Sequence, residues 1–261
     1  MISPSKQVLI NLIDLENSRQ SFIEDSDIQS LLMTYKIKTL SKNKNNSKFW
    51  DNEFSKAIIG RNYTEEDRNK TAAKWLAKLP ASKIINVGCG DGKFEEYFLK
   101  RTKEPHKIDY QGIDFALKTI KSLRKRYPSY SFLVKDLTKD KIRNNNDVVC
   151  IFEVLEHISD SLVLNVLKKL FKAIKKNGYI LVAVPLNEPL LEMYPSNPNE
   201  HVRIYSRDII SAELELSGFK IVKVKEFIAF PTLYGVKKFI SSYLFKSKWK
   251  PNDILILAQK K

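Results

Sequence analysis

The sequence predicts an α/β fold: a doubly wound, seven-stranded, mostly parallel sheet with helices on both faces and a helical extension at the N-terminus. Three observations carry this. From Lys83 onward, short β-rich runs alternate with amphipathic helical stretches, the pattern of strands joined by crossover helices. The strand runs are apolar almost throughout, as expected of parallel strands covered on both faces. The first of them runs straight into three glycines at alternate positions, Gly88, Gly90 and Gly92, and a helix follows at once.

The chain has 261 residues, enough for one large α/β domain with added segments. Hydrophobic residues make up 43%, which sustains a full core and excludes global disorder. No apolar run reaches the roughly 18 residues needed to span a bilayer. The apolar stretch Val8–Leu15 is short and interrupted by Asn11 and Asp14, so it lacks the pattern of a signal peptide. A cytoplasmic location is the expectation. The two cysteines, Cys89 and Cys150, lie in apolar surroundings and fit a reducing compartment.

The net charge is +15, yet only nine of the 45 basic residues are arginine. Nucleic-acid readers favour the planar guanidinium, so solvated lysine faces are the preferred explanation. Contact with anionic membrane, an acidic substrate or nucleic acid stays open.

Residues 1–47 read as an appendage to a main domain at 48–261. It holds two helical candidates, Lys6–Leu15 and Asp25–Leu40, and a polar linker from Ser41 to Ser47. Thr64 opens a capping pattern with Asp67, and a helix is expected to run to Leu79, stopped by Pro80. Strands are expected at Lys83–Val87, Asp109–Ile113, Ser131–Lys135, Val148–Phe152, Tyr179–Val184, Ile221–Phe227 and Ile254–Ala258. Helices are expected at Phe94–Thr102, Ala116–Arg126, Ser159–Lys176 and Arg207–Ser217, with Gly178 and Gly218 as C-terminal caps. Ligands of such sheets bind at the carboxyl ends of the strands, and the motifs below all fall there.

In Val87-Gly88-Cys89-Gly90-Asp91-Gly92-Lys93-Phe94 the glycines permit a positive-φ turn and a close ligand approach. The new helix offers free N–H groups. A dinucleotide fingerprint would need its third glycine at position 93, which is Lys93. Asp114 ends the second strand, 22 positions after Gly92, where a ribose-binding carboxylate is expected; capping the next helix is its other possible role. Asp136-Leu137 follows the third strand. The G-x-G-x-G loop with Asp91 inside it, followed by Asp114 and Asp136, resembles the Rossmann-like class I S-adenosylmethionine-dependent methyltransferases. The resemblance implies that Gly88, Cys89, Gly90, Asp91 and Gly92 wrap the amino-acid part of S-adenosylmethionine. It implies that Asp114 binds the ribose hydroxyls, that Phe115 also contacts the cofactor, that Asp136 binds the adenine amino group with Leu137 packed on the ring, and that the last strand is antiparallel.

After the fourth strand comes Glu153-Val154-Leu155-Glu156-His157. This run resembles that of small-molecule O-methyltransferases of the ubiquinone-biosynthesis kind, and that of small-RNA 2′-O-methyltransferases. The resemblance implies that Glu153 contacts the cofactor, or that Glu153, Glu156 and His157 hold a divalent metal such as Mg²⁺. A helical turn beginning at Glu153 would put Glu156 and His157 on its face. His157, with His201 as second candidate, is the expected base for a hydroxyl acceptor.

The Asn/Asp-Pro-Pro-aromatic motif of base-amino methyltransferases is absent from this position, and Cys150 lies within an apolar run rather than in a Pro-Cys nucleophile. Phe49-Trp50-Asp51-Asn52-Glu53-Phe54 resembles a lid segment, and Tyr63 and Arg68 are candidates to close over the cofactor. The loop from Pro185 to Arg203, with Tyr194 and His201, is expected to meet the acceptor. Residues 227–250 interleave Phe230, Tyr234, Phe239, Tyr243, Phe245 and Trp249 with lysines. They read as an aromatic, basic insertion: an interfacial helix on anionic membrane, or a lid lining the acceptor pocket. The expected activity is methyl transfer to an oxygen of a small-molecule acceptor such as a lipid, quinone-like or sugar hydroxyl. The alternatives are an RNA 2′-O-methyltransferase and a non-catalytic cofactor-fold binding protein.

Overall fold

A single seven-stranded sheet organises the chain, in the order β3-β2-β1-β4-β5-β7-β6. The computed structural model describes residues 45–54, 62–101, 105–188, 200–229 and 250–261. The strands are β1 (Lys83–Val87), β2 (Asp109–Asp114), β3 (Ser131–Val134), β4 (Asn146–Phe152), β5 (Ile174–Pro185), β6 (Phe219–Phe227) and β7 (Asp253–Lys260). β1 to β5 pair in parallel, while β7 runs antiparallel between β5 and β6. The expected strand set and mostly parallel sheet are what is found. Because β7 enters from the other direction, its first residue, Asp253, lies level with Pro185 at the end of β5.

Neighbouring residues of each central strand enter different cores, because side chains alternate across a sheet. Ile85, Val149, Ile180 and Ile256 point to one face, with α5 (Asp160–Ala173) and α6 (Arg207–Leu216) over them. Ile84, Val148, Leu181 and Leu257 point to the other, under α2 (Tyr63–Leu76) and α3 (Lys93–Phe98). α4 (Leu117–Arg126) supplies Ile120 and Leu123 to that second core. Both faces are therefore dry, which is why the strands read as apolar runs rather than as alternating ones.

Several local expectations are corrected. α2 starts at Tyr63, and its N-terminal cap is Asn62, whose side chain accepts from Glu65 N; Asn is a stronger cap than Thr, so Thr64 falls inside the first turn. α5 stops at Ala173 rather than Lys176, because Ile174 is extended and already pairs with Asn146 of β4. Gly178 is consequently a strand residue, not a helix cap, and Asn177 takes the left-handed conformation instead (φ 61°). Gly218 does follow α6 with φ 99°. No helical turn starts at Glu153: it has φ 53°, and a short 3₁₀ turn covers Leu155–His157. The left-handed step swings the chain off β4 while Glu153 N still bonds Ala183 O.

Asn45 and Asn46, at the end of the expected linker, are engaged. Asn46 caps α1 (Ser47–Glu53), and Asn45 donates to Glu200 O. The expected helices at Lys6–Leu15 and Asp25–Leu40, Tyr194, and the aromatic and basic segment at 230–249 lie outside the described residues. No helix among the described residues is long and apolar enough to cross a membrane.

Candidate active site

At the carboxyl ends of β1, β2 and β4 opens a cavity of about 710 Å³. Its floor is the glycine loop. Gly88, Gly90 and Gly92 all have positive φ, at 72°, 51° and 83°, which side chains with a Cβ rarely adopt. A Cβ on Gly88 would lie 2.2 Å from Val154 Cγ2, and one on Gly90 would lie 3.2 Å from the Phe54 ring. The loop is thus shaped for close approach, and Asp91 and Cys89 complete its rim.

Asp114, at the tip of β2, is buried and caps two backbone donors: Gly90 N reaches Oδ2 at 3.0 Å and Ala116 N reaches Oδ1 at 2.9 Å. Burial nonetheless lifts its pKa above the ordinary carboxylate range. Asp136, beyond β3, accepts from Thr138 N and Thr138 Oγ1; Thr138 and Lys139 outweigh partial burial and hold its pKa low. Phe115 and Leu137 line the same wall. The buried side-chain oxygens of Asn69 and Asn86, two residues of the cavity wall, lack a hydrogen-bond partner among the described residues. Positive-φ glycines, a strand-end carboxylate and unsatisfied polar atoms on one wall fit a polar nucleoside ligand.

The other half of the cavity draws on residues far apart in sequence. Arg68 of α2 is 4% exposed and lies 2.8 Å from Glu153 Oε1 and 2.6 Å from Asp253 Oδ2. Burial works against its charge, but Glu153 and Asp253 raise its pKa. One guanidinium cannot balance two buried carboxylates. Burial accordingly pushes Glu153 up and Asp253 to about 8, against the pull of Arg68. Tyr63, the other residue expected to close over the site, is exposed and does not line the cavity.

Glu156 is fully buried, and neither carboxylate oxygen has a hydrogen-bond partner among the described residues. His157 Nε2 is 3.9 Å and His201 Nε2 is 4.0 Å from Glu156 Oε1. The rings meet edge to face at 4.7 Å, and Trp50 of α1 packs edge-on against His157 at 4.9 Å. Each imidazole is held from behind, with His157 Nδ1 3.3 Å from Glu200 O and His201 Nδ1 2.5 Å from Glu188 Oε2. Burial, first, and the neighbouring His201 push His157 down to about 3. Burial and Glu153 push Glu156 well above the usual carboxylate range. Glu156, His157 and His201 could together hold a metal ion, their candidate ligand atoms lying within 4.8 Å of one another. The structure brings His201 into that group in place of Glu153, which is turned to Arg68.

Sequence reasoning did not single out Glu188 or Asp253. The antiparallel sense of β7 was the signal for Asp253, since it puts the start of that strand beside the ends of the parallel ones. Glu188 carries no local signature.

Comparison with known proteins agrees with this geometry. A family described as a methyltransferase domain matches residues 63–224, more than half of the chain, and the chain belongs to it. That membership is in keeping with the seven-stranded, mostly parallel sheet and with the glycine loop at the end of β1. Trans-aconitate 2-methyltransferase of Afipia carboxidovorans is 25% identical over 126 residues, 47% of each chain, so this chain spans about half the length of that relative. A ubiquinone biosynthesis O-methyltransferase of Pseudomonas entomophila is 21% identical over 59% of this chain and 73% of its own. Among solved structures, the N-methyltransferase NodS of Bradyrhizobium japonicum, in complex with S-adenosyl-L-homocysteine, superposes with a TM-score of 0.62 at 14% identity, covering 83% of this chain and 99% of that one.

Proposed function

We propose that the chain moves the methyl group of S-adenosylmethionine to an oxygen of a small-molecule acceptor held between the glycine loop and the histidine pair. The observation that carries this reading is the convergence of Glu156, His157 Nε2 and His201 Nε2 beside the cofactor cradle. The cofactor supplies an electrophilic methyl group on a sulfonium. The chain's own task is alignment, where effective molarity is the main gain, and removal of the acceptor proton. Gly88, Gly90 and Gly92 let the backbone approach the ligand, Asp114 is placed for the ribose hydroxyls and Asp136 for the adenine. Trp50, Phe54 and Ile158 present apolar surface to the acceptor and exclude water. His201, whose ring is oriented by the Glu188 carboxylate, is the proposed base, and burial pushes the pKa of His157 down to about 3.

A second reading has the same group hold a divalent ion. Both imidazoles have their rear nitrogens against acceptors, as metal-binding histidines do, and the oxygens of Glu156 lack a hydrogen-bond donor among the described residues. Two nitrogens among three donors suit a borderline ion such as zinc or iron better than Mg²⁺, which takes oxygen. Bound there, such an ion would acidify an acceptor hydroxyl.

The test is methyl transfer from labelled S-adenosylmethionine to a panel of catechol, lipid and sugar hydroxyls. His201→Ala should lose transfer while keeping affinity for S-adenosylhomocysteine. Transfer to amines alone, or to small RNA alone, would remove the acceptor class proposed. Cofactor binding without turnover on any acceptor would favour a binding protein.

A further inference from the structure

We propose that Glu188 is a positioning residue: its carboxylate holds the Nδ1 proton of His201 and so turns the Nε2 edge of that ring toward Glu156 and His157. The inference rests on the reading of this cleft as the methyl-transfer site.

The two partners come from separately anchored segments. The chain leaving β5 is tied down by Leu186 N to Asn252 O at 2.8 Å, Asn187 N to Tyr205 O at 2.9 Å and Asn187 Nδ2 to Pro251 O at 3.1 Å. Asn187 sits in the left-handed region at φ 56°, which fixes the direction in which Glu188 departs. On the other side, Val202 N bonds Glu156 O at 2.9 Å. Arg203 is locked by Asp160, Tyr205 and Glu213, which fixes the backbone two residues beyond His201. The Glu188 and His201 side chains are 18% and 9% exposed. Their 2.5 Å contact therefore joins two fixed, largely buried groups, unlike a surface ion pair.

The two histidines differ in what stands behind them. His157 faces a peptide carbonyl at 3.3 Å, His201 a carboxylate at 2.5 Å. A carboxylate is the stronger acceptor, and the nitrogen facing it keeps the proton, which decides the tautomer. A ring carrying its proton on Nδ1 presents a lone pair at Nε2. The other tautomer would aim a proton at the spot where an acceptor proton or a metal ion has to be received. Glu188 thus serves the base and the metal ligand alike, from outside the reacting atoms.

The experiment uses the full chain labelled with ¹⁵N-histidine and long-range ¹H–¹⁵N correlation at about pH 9, where an ordinary imidazole is neutral. The chain has three histidines, and His106 is exposed, which gives an internal reference. In the wild type, His201 should carry its proton on Nδ1. Glu188→Ala should move the His201 signals toward the Nε2–H form. Glu188→Gln, whose amide oxygen still accepts, should leave them in place, and His157 should keep its signals in both variants. Calorimetry should give the same S-adenosylhomocysteine affinity for all three proteins. A wild-type His201 protonated on Nε2, or a tautomer unmoved by Glu188→Ala, overturns the proposal. A wild type that does not bind S-adenosylhomocysteine overturns the methyl-transfer reading instead, and the tautomer result stands apart from it.

Discussion

The two ends of the sheet treat buried carboxylates in opposite ways. At the amino end, Asp147 accepts from Ser82 N at 2.7 Å and Lys83 N at 2.8 Å, and pairs with Lys175. Those partners outweigh burial and hold its pKa at about 2. At the carboxyl end, Asp253 shares one guanidinium with Glu153, Glu156 has no donor among the described residues, and burial drives all three upward. Asp147 is satisfied by the chain itself, which is how a polar group stabilises a fold. At the carboxyl end polar groups are buried and left short of partners, a cost that persists where a ligand is to supply the missing bonds.

Four substitutions would break or sharpen that contrast. The largest effect is expected at Gly88→Ala, where the new Cβ meets Val154 at a backbone φ of 72°. The strain and clash should abolish measurable S-adenosylhomocysteine binding and lower the melting temperature; calorimetric affinity within about twofold of wild type would show that the loop is not the cradle. Asp114→Ala should weaken the same binding by about 1.5–3 kcal/mol, the scale of hydrogen bonds to a charged group. Unchanged affinity would remove Asp114 from the ribose site.

Asp147→Asn tests the amino end. The folded pKa is depressed, so the contribution to stability is present above the unfolded value near 4 and is lost as pH falls through about 2. At neutral pH the substitution should cost about 2 kcal/mol in urea denaturation. The difference between variant and wild type should shrink as pH drops from about 4 toward 2. The same change of carboxylate to amide at the other end, Glu156→Gln, should alter stability by less than about 0.5 kcal/mol, because burial already favours the neutral acid. If the Glu156–His157–His201 group holds a metal, which needs the ionised carboxylate as a ligand, the same substitution should abolish methyl transfer; unchanged transfer would remove Glu156 from the ligand set. A destabilisation as large as that of Asp147→Asn would mean that Glu156 is a satisfied structural group.

Much of the glycine-loop half of the cavity was legible in the linear order of residues. Gly88, Gly90 and Gly92 needed no partner to announce a tight strand-to-helix turn, and Asp114 and Asp136 follow at strand ends that apolar runs already marked. Each of these positions depends on backbone geometry within a few residues, and local geometry is what a residue pattern records. The Glu153-to-His157 run was legible as chemistry but not as shape. The left-handed step at Glu153 sends it to Arg68, and only Glu156 and His157 stay with the histidine group.

The sequence by itself determined the parallel α/β sheet, the glycine loop and the acidic strand ends, because period, propensity and glycine freedom act over short stretches of chain. Tertiary structure alone decided that Arg68 stands between Glu153 and Asp253, and that Glu188 backs His201 against Glu156. Those contacts join residues from α2, from the ends of β4 and β5 and from the start of β7. Their partners are selected by burial, where an unpaired charge is costly, and burial exists only once the sheet has closed around them.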